Sequence, residues 1–174
     1  MLIGILLGLV GLVVLILIAG VFLRKNYRIQ RQIVIDVPLS NVFDYIKQLR
    51  HQDHYNKWVM VDPEMKKELR GTDGTVGFVY KWDGNKRAGA GEQEIKSIAE
   101  GKKVDTEIRF ERPFKSVAYA SMVTEPLSHN QTKLTWSNES ILKYPMNILL
   151  PMIENMLGKD MDTSLASLKR ILEK

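Results

Sequence analysis

The sequence predicts an α+β protein in which a seven-stranded, curved antiparallel sheet packs around a long C-terminal helix. It also predicts one transmembrane helix, which precedes this domain in the chain. Three observations support this fold class. Residues 1–23 contain no charged side chain. Residues 64–140 alternate strand patterns with turn signals and lack the intervening helices that a parallel sheet requires. Residues 148–172 repeat apolar side chains at helical spacing, so one side of this helix can cover the apolar face of the sheet.

Residues 1–23 form the first element and are a candidate membrane anchor. An apolar helix crosses a bilayer with roughly 20 residues. A cleaved signal peptide is the alternative, but it needs a basic start, a shorter apolar core and a small-x-small cleavage site. No Lys or Arg precedes the apolar run, and residues 18–20 are a poor cleavage signal. We therefore predict an uncleaved, single-pass anchor. The spacing of Gly4 and Gly8 would allow two such helices to pack, which leaves the oligomeric state open.

Four basic side chains within residues 24–31 follow the apolar run directly. They are Arg24, Lys25, Arg28 and Arg31, and we expect them at the membrane surface. The positive-inside rule then predicts a membrane protein whose C-terminal domain is cytoplasmic. Without these four, the chain has 21 Lys and Arg against 20 Asp and Glu, so its net charge of +5 is concentrated beside the membrane. We predict a membrane partner and no nucleic-acid partner, because nucleic-acid-binding domains usually carry a basic face.

The soluble part begins with a strand and two short helical segments. Residues 28–37 alternate apolar and polar side chains, and Ser40 can cap the helix that follows. Residues 51–58 are typical of a second short helix or a loop. Six strand patterns come next, each ending at a turn: 64–71, 75–82, 89–98, 102–113, 114–126 and 132–140. We expect the C-terminal helix to bend or split at Pro151 and Gly158.

The segment KWDGNKRAGAGE, residues 81–92, has the glycines and basic side chains of a phosphate-binding loop. The spacing from Gly84 to Gly89 fits a P-loop, but Ala90 stands where the motif requires Lys. Both phosphate-binding motifs also open a helix, whereas this segment joins two strand patterns. We therefore predict a hairpin, with positive φ values at Gly84 and its neighbours. Gly89 and Gly91 share one face of the next strand, where we expect them to open the wall of a cavity.

Five segments, together with the order of the elements, resemble the helix-grip superfamily. The segments are VGFVYKWDGN, GAGEQEI, RFERPFKS, TKLTWS and MLGKDMDTSLASLKRILE. This superfamily, abbreviated SRPBCC, contains START lipid-binding domains, birch-pollen-allergen-type proteins and polyketide cyclase/dehydrases. The sequence is most similar to bacterial polyketide cyclase-like members, many of which carry one N-terminal membrane helix. The resemblance covers residues 28–174 and implies a helix-grip domain with a hydrophobic cavity, but no single activity.

Alternation along the strands and helical spacing predict which side chains line that cavity. Val104 and Thr106 share a strand face with two of them, and methionines on the C-terminal helix suit an adaptable binding surface. The predicted ligand contacts are Phe78, Tyr80, Trp82, Ile108, Phe110, Tyr119, Leu134, Trp136, Met152, Met156, Met161 and Leu165. The alternative is an ordinary packed core without a cavity.

Two polar clusters have the residue types of a metal or acid–base site. His51, Asp53 and His54 have ligand chemistry, but no further ligand pair is visible, so we predict a solvated loop, no metal and no cofactor. Glu92 and Glu94 point to one face of a strand, and their neighbours look like the inward set. We therefore expect both carboxylates to face solvent rather than to perform acid–base catalysis.

Cyclases of the superfamily often rely on polar groups in the pocket, and three residues are available for this role. They are Tyr80, Arg109 and Tyr119, of which Arg109 is expected to point outward because it alternates with apolar neighbours. None is assigned as catalytic.

The sequence favours a membrane-tethered module that binds a hydrophobic small molecule or a lipid between the sheet and the C-terminal helix. The alternative is a polyketide cyclase/dehydrase-type enzyme acting on a hydrophobic carbonyl compound. A third possibility, an interaction adaptor, predicts a collapsed cavity and an exposed apolar patch.

Overall fold

The computed structural model describes residues 2–174. The helices are α1 (Leu2–Phe22), α2 (Leu39–Ile46), α3 (Gln52–Tyr55), α4 (Lys57–Met60) and α5 (Leu150–Leu172). The strands are β1 (Asn26–Ile35), β2 (Lys66–Arg70), β3 (Val79–Asp83), β4 (Ala90–Ala99), β5 (Lys103–Arg112), β6 (Ser116–Ser128) and β7 (Gln131–Ile141). Two 3-10 turns, Leu49–His51 and Met146–Leu149, precede α3 and α5.

The seven strands form one antiparallel sheet in the order β1-β7-β6-β5-β4-β3-β2. Strands β2 to β7 are joined by successive hairpins, and β1 closes the order by pairing with β7. With the long C-terminal helix, this arrangement confirms the predicted helix-grip α+β fold. Of the described residues, Ile3–Phe22 form the one helix long and apolar enough to cross a membrane.

Helix α5 is continuous from Leu150 to Leu172, so it is not split at Pro151 or Gly158 as the sequence suggested. Pro151 lies in the first turn, where a backbone N–H has no intrahelical partner and a proline therefore loses no hydrogen bond. Gly158 is inside the helix, and the guanidinium of Arg31 occupies the space that a side chain would take.

Two groups of helices share the inner face of the sheet. Helix α5 packs along β1, and Met161, Leu165 and Leu168 are buried there in a core that includes Leu134 and Trp136. On the other half, a second core contains Phe43 and Leu49 from the helical side and Phe78, Tyr80, Ile95 and Val104 from the sheet. The short helices α2–α4 therefore lie over the central strands, and α5 lies over the β1 edge.

The segment 81–92 is the β3–β4 hairpin that the sequence predicts. The Gly84 N–H donates to the carbonyl of Gly89 over 2.9 Å, and the Asn85 side-chain oxygen accepts from the Arg87 N–H over 2.8 Å. The positive φ value lies at Gly89, at 67°, and not at Gly84 or its neighbours, which corrects the turn geometry that we expected.

Candidate functional site

An internal cavity of about 40 Å³ lies between the short helices and the central strands. Its helical wall consists of Ile46, Leu49, Gln52, Asn56 and Trp58. Its sheet wall consists of Gln93, Val104, Thr106, Ile108, Ala120, Met122 and Trp136. This volume exceeds the minimum of roughly 10–15 Å³ that one water needs.

Four polar side chains interrupt the otherwise apolar wall. Gln93 Nε2 donates to Thr106 Oγ1 over 2.9 Å, across the β4–β5 pair. Asn56 Nδ2 donates to Gln52 Oε1 over 2.8 Å on the helical side. These groups are neutral donors and acceptors, which suits them to orienting a ligand by hydrogen bonds.

Trp58 lines the cavity and connects α4 to the rest of the domain. Its backbone N–H donates to Asn56 Oδ1, which caps the start of α4. Its indole Nε1 donates to Asp160 Oδ2 on α5 over 3.1 Å. Its ring meets Trp136 edge-to-face, with 5.7 Å between the ring centroids. The wall at this point thus depends on one side chain that touches both the sheet and α5.

The predicted cavity residues divide into several groups. Ile108 and Trp136 line the cavity. Leu134, Met161 and Leu165 lie in the packed core under α5. Phe78 and Tyr80 are buried in the second core. Trp82 packs against that core and meets Phe110 edge-to-face, with 5.9 Å between the ring centroids.

Tyr119, Met152 and Met156 lie outside the cavity, contrary to their expected inward orientation. Their exposed fractions are 52%, 61% and 52%. On β6, Ala118 and Ala120 occupy the inward positions, so alternation places Tyr119 on the outer face. On α5, Leu150 in the first turn and the residues from Gly158 onward provide the buried positions, and both methionines lie on the exposed side between them.

The glycines of the β3–β4 hairpin do not open the cavity wall, contrary to the sequence-based expectation. A Cβ at Gly89 would lie 2.5 Å from the carbonyl oxygen of Arg112. A Cβ at Gly91 would overlap the carbonyl oxygen of Arg109 and lie 2.9 Å from the ring of Trp82. Both glycines therefore permit close packing at these positions.

None of the residues in the helical wall of the cavity, above all Gln52 and Asn56, was predicted from the sequence. Amides in a short polar helix carry no distinctive signal of burial. The sheet wall had a usable signal, because Ala118, Ala120 and Met122 alternate with more exposed residues along β6.

The side chains of the His51, Asp53 and His54 cluster contact α2 and the strands β2 and β3. Asp53 Oδ1 accepts from the Tyr80 hydroxyl over 2.6 Å, and its Oδ2 lies 2.8 Å from Lys67 Nζ. Burial and the bond to Asp53 raise the pKa of Tyr80 above its usual value, so this phenol stays protonated. His51 Nδ1 lies 2.9 Å from the carbonyl oxygen of Tyr45. Residues 2–174 contain no group of three or more acidic or imidazole side chains arranged to hold a metal.

The carboxylates of Glu92 and Glu94 lie around Arg109. Arg109 Nε is 2.8 Å from Glu92 and its Nη2 is 2.8 Å from Glu94, while Nη1 pairs with Glu107. Hydrogen bonds from Arg109 hold the pKa of Glu94 below its usual range. A carboxylate that stays ionised at neutral pH cannot serve as a general acid there, so the arrangement stabilises the sheet instead.

We expect Arg109→Gln to lower the free energy of unfolding at pH 7 by on the order of 1–2 kcal/mol, since three carboxylates lose charge-assisted bonds. The pKa of Glu94 is depressed in the folded state, so its contribution is present above the unfolded pKa and is lost as the pH falls through the folded value. Urea unfolding of the full chain should therefore show a smaller difference between wild type and variant at acidic pH.

The matched control is Arg112→Gln on the same strand, whose partner is the single, more exposed carboxylate of Asp83. We expect an effect below roughly 0.5 kcal/mol for this control. Two results would contradict the role of Arg109 in stabilising the sheet. One is a loss of unfolding free energy in Arg109→Gln no larger than in Arg112→Gln, and the other is a loss that grows as the pH falls.

One protein family matches most of this chain. The family described as "Polyketide cyclase / dehydrase and lipid transport" matches residues 27–173. No curated protein matches the sequence significantly.

Three solved structures illustrate the likeness in fold. Truncated norcoclaurine synthase from Thalictrum flavum has a TM-score of 0.65 at 13% identity, covering 86% of this chain and 95% of that one. The Aha1 dimer from Colwellia psychrerythraea gives 0.59 at 16% identity, with 84% and 96% covered. A protein from Chromobacterium violaceum gives 0.58 at 15% identity, with 86% and 98% covered.

The family match extends over most of the chain and coincides with the strands and helices that enclose the cavity. The chain thus belongs to the polyketide cyclase/dehydrase and lipid transport family, within the SRPBCC helix-grip superfamily.

Proposed function

We propose that this chain is a membrane-tethered module that binds a hydrophobic small molecule or a lipid in the cavity between sheet and helices. The observation that carries the proposal is the apolar cavity, with neutral polar groups from Gln52, Asn56, Gln93 and Thr106 in its wall. The family description, which includes lipid transport, supports the same class of ligand.

A ligand of this kind must enlarge the cavity. Pockets for drug-sized ligands occupy roughly 300–1,000 Å³, whereas this space is about 40 Å³. The helical wall is the part that can move, because α3 and α4 have four residues each. Helix α4 is attached to α5 through Asp160, which bonds Trp58 and lies 2.6 Å from Lys57 Nζ, and α3 contributes Tyr55 to the core under α5. Displacing them leaves the hydrogen bonds of the sheet intact.

Contacts between α1 and the domain support an anchor that stays attached. Asn147 Nδ2 donates to the carbonyl oxygens of Gly20 and Leu23, over 2.7 Å and 3.3 Å. Cleavage just after residue 20 would remove the shorter of these two bonds, the one to Gly20, from a buried amide. The basic residues after α1 support a cytoplasmic orientation by the positive-inside rule.

Three of those basic residues also pair with the domain. Arg24 contacts Glu154, Arg31 Nε lies 3.1 Å from Asp162, and Arg28 lies 3.6 Å from Glu139. Arg28 and Arg31 belong to β1, so their pairs lie within the domain. The Arg24–Glu154 pair joins the segment after α1 to α5 and favours a fixed position of the domain beside the anchor, so that a lipid would cross little water on its way to the cavity.

The enzyme alternative requires an ionisable group that faces the cavity. The twelve residues that line it, all in the described part of the chain, include no Asp, Glu, His, Lys, Arg or Tyr. This composition favours binding over acid–base chemistry.

The test is to purify the full chain from membranes, extract it with organic solvent and identify bound apolar molecules by mass spectrometry. In Ala120→Leu, a larger side chain enters the cavity wall, at an expected stability cost of about 1–3 kcal/mol. We expect this variant to carry at least about tenfold less ligand, a loss equivalent to roughly 1.4 kcal/mol in affinity.

Ala166→Leu is the matched control, because Ala166 is exposed on α5. It should retain the ligand of the wild type. Empty wild-type protein in every preparation would overturn the proposal and favour the adaptor hypothesis, whereas equal occupancy of both variants would place the ligand elsewhere.

A further inference from the structure

The length of α1 fixes how close the domain lies to the membrane. Its 21 residues span about 31 Å at 1.5 Å per residue, which matches the roughly 30 Å of a bilayer's hydrocarbon core. Strand β1 begins at Asn26, four residues after Phe22. A fully extended chain covers at most about 14 Å over that distance. If α1 spans the bilayer, the start of the sheet therefore lies at the membrane surface.

Contacts with the last turn of α1 place a second segment at the same depth. Asn147, which is 1% exposed, donates hydrogen bonds to carbonyl groups at the C-terminal end of α1, where intrahelical partners run out. The side chain of Ile148 lies against Gly20, where it would be 2.6 Å from an added Cβ. The Met146–Leu149 turn is thus held beside the end of the apolar helix.

One group of exposed apolar side chains lies at this end of the domain. We call them the anchor-side rim, and they are Phe114, Ile141, Tyr144, Leu149 and Met152. Ile141 pairs with Asn26, and the loop that carries Phe114 joins β5 to β6 at the same end of the sheet.

The rim has the composition of an interfacial membrane surface. Leu149 and Met152 are three residues apart, so they are neighbours on one side of the helical segment. Exposed lysines flank the aromatic members: Lys115 follows Phe114, and Lys143 precedes Tyr144. Apolar and aromatic side chains bordered by basic ones insert into the headgroup region of anionic membranes.

We propose that the anchor-side rim is a lipid-docking surface that inserts into the headgroup region of the bilayer crossed by α1. The proposal rests on the membrane tethering in the proposed function and does not depend on a ligand in the cavity. The anchor would then do more than keep the domain near the membrane, because the rim would hold one end of it against the lipid.

The chain has no cysteine, so single cysteines can be labelled without background. Leu149→Cys and Met152→Cys place an environment-sensitive fluorophore on the rim. Leu127→Cys is the matched control, because Leu127 is 53% exposed near the far end of β6. At about 3.3 Å per residue, the 13 residues of β6 separate the two ends by roughly 40 Å. Each full-length variant is reconstituted into vesicles of phosphatidylcholine and phosphatidylserine that contain a lipid brominated near its headgroup.

We expect severalfold stronger quenching of labels at positions 149 and 152 than at 127. Equal quenching at all three positions would overturn the proposal. A fourth variant, Val13→Cys within α1, tests separately whether α1 spans the bilayer. For this variant the vesicles contain a lipid brominated deep in its acyl chains. Quenching at 13 by the deep bromines, without quenching at 149 and 152 by the headgroup bromines, would contradict the docking surface and support the membrane tether. If the deep bromines do not quench the label at 13, both the membrane tether and the docking surface are overturned.

Discussion

Replacing Trp58 with alanine is expected to lower the free energy of unfolding by about 3 kcal/mol and to open the internal cavity. Three interactions are lost together: the bond from Nε1 to Asp160, the edge-to-face contact with Trp136, and the apolar wall itself. Chemical unfolding of the full chain in detergent, followed by near-ultraviolet circular dichroism, measures the first effect. Increased binding of an apolar fluorescent dye at a native-like far-ultraviolet signal measures the second.

Lys57→Ala is the control for this prediction, because Lys57 Nζ pairs with the same Asp160 from the same short helix. Its ammonium group is half exposed, and such a pair contributes about 0–1 kcal/mol. Trp58→Phe keeps an aromatic ring without the hydrogen bond, so it should fall between the other two variants. An alanine variant that is no less stable than Lys57→Ala would show that the ring does not support the wall.

The sheet could be predicted from the sequence because alternation is a local property. Five of the six hairpin-linked strand patterns differ from the observed strands by only a few residues. The larger shift is β3, which begins at Val79 and not near residue 75. There the Phe78 N–H donates to the carbonyl of Thr75, and Gly77 has a φ of 87°, so the chain turns before the strand begins. The inward orientation of Gln93 and Ile95 on β4 also followed from alternation, and the structure confirms it.

The contacts of α5 could not be predicted in the same way. Apolar residues continue at helical spacing from its first turn to its last, and the pattern predicts one buried side throughout. In the fold, Met161 and Leu165 cover the sheet, whereas Met152 and Met156 remain exposed on the turns nearer α1. Exposed and buried apolar side chains of α5 follow one spacing, so hydropathy alone does not show which of them the sheet covers.

The cavity wall was hard to predict for a related reason. Its helical part comes from residues 46–58, and the sheet part comes from strands up to 90 residues away. The buried amides of Gln52 and Asn56 form a hydrogen bond with each other. This bond offsets the cost of removing the two amides from water, and the sequence alone does not reveal it. Charged clusters, which are more conspicuous in the sequence, lie instead on the outer face or in local contacts.

Gly91→Ala is expected to lower the free energy of unfolding by about 2–3 kcal/mol, although it adds a single methyl group. The new Cβ would overlap the carbonyl oxygen of Arg109, which belongs to the backbone of the paired strand β5. It would also press on the Trp82 ring, which is fixed by a 3.1 Å bond from Nε1 to the carbonyl of Ala88. Neither neighbour can move without disturbing the β3–β4–β5 pairing, so the strain remains in the folded state.

Gly158→Ala provides the contrast, because its obstructing neighbour is the flexible end of Arg31. Alanine gains about 1 kcal/mol in helix propensity over glycine, while the displaced Arg31–Asp162 pair contributes about 0–1 kcal/mol. We therefore expect a change between roughly zero and 1 kcal/mol in the stabilising direction. Urea unfolding of both variants tests the argument as a pair: similar losses at the two positions would mean that backbone and side-chain obstruction are equivalent here. A large loss at Gly91 alone would show that this glycine is required because two strands and an indole ring meet without space for a methyl group.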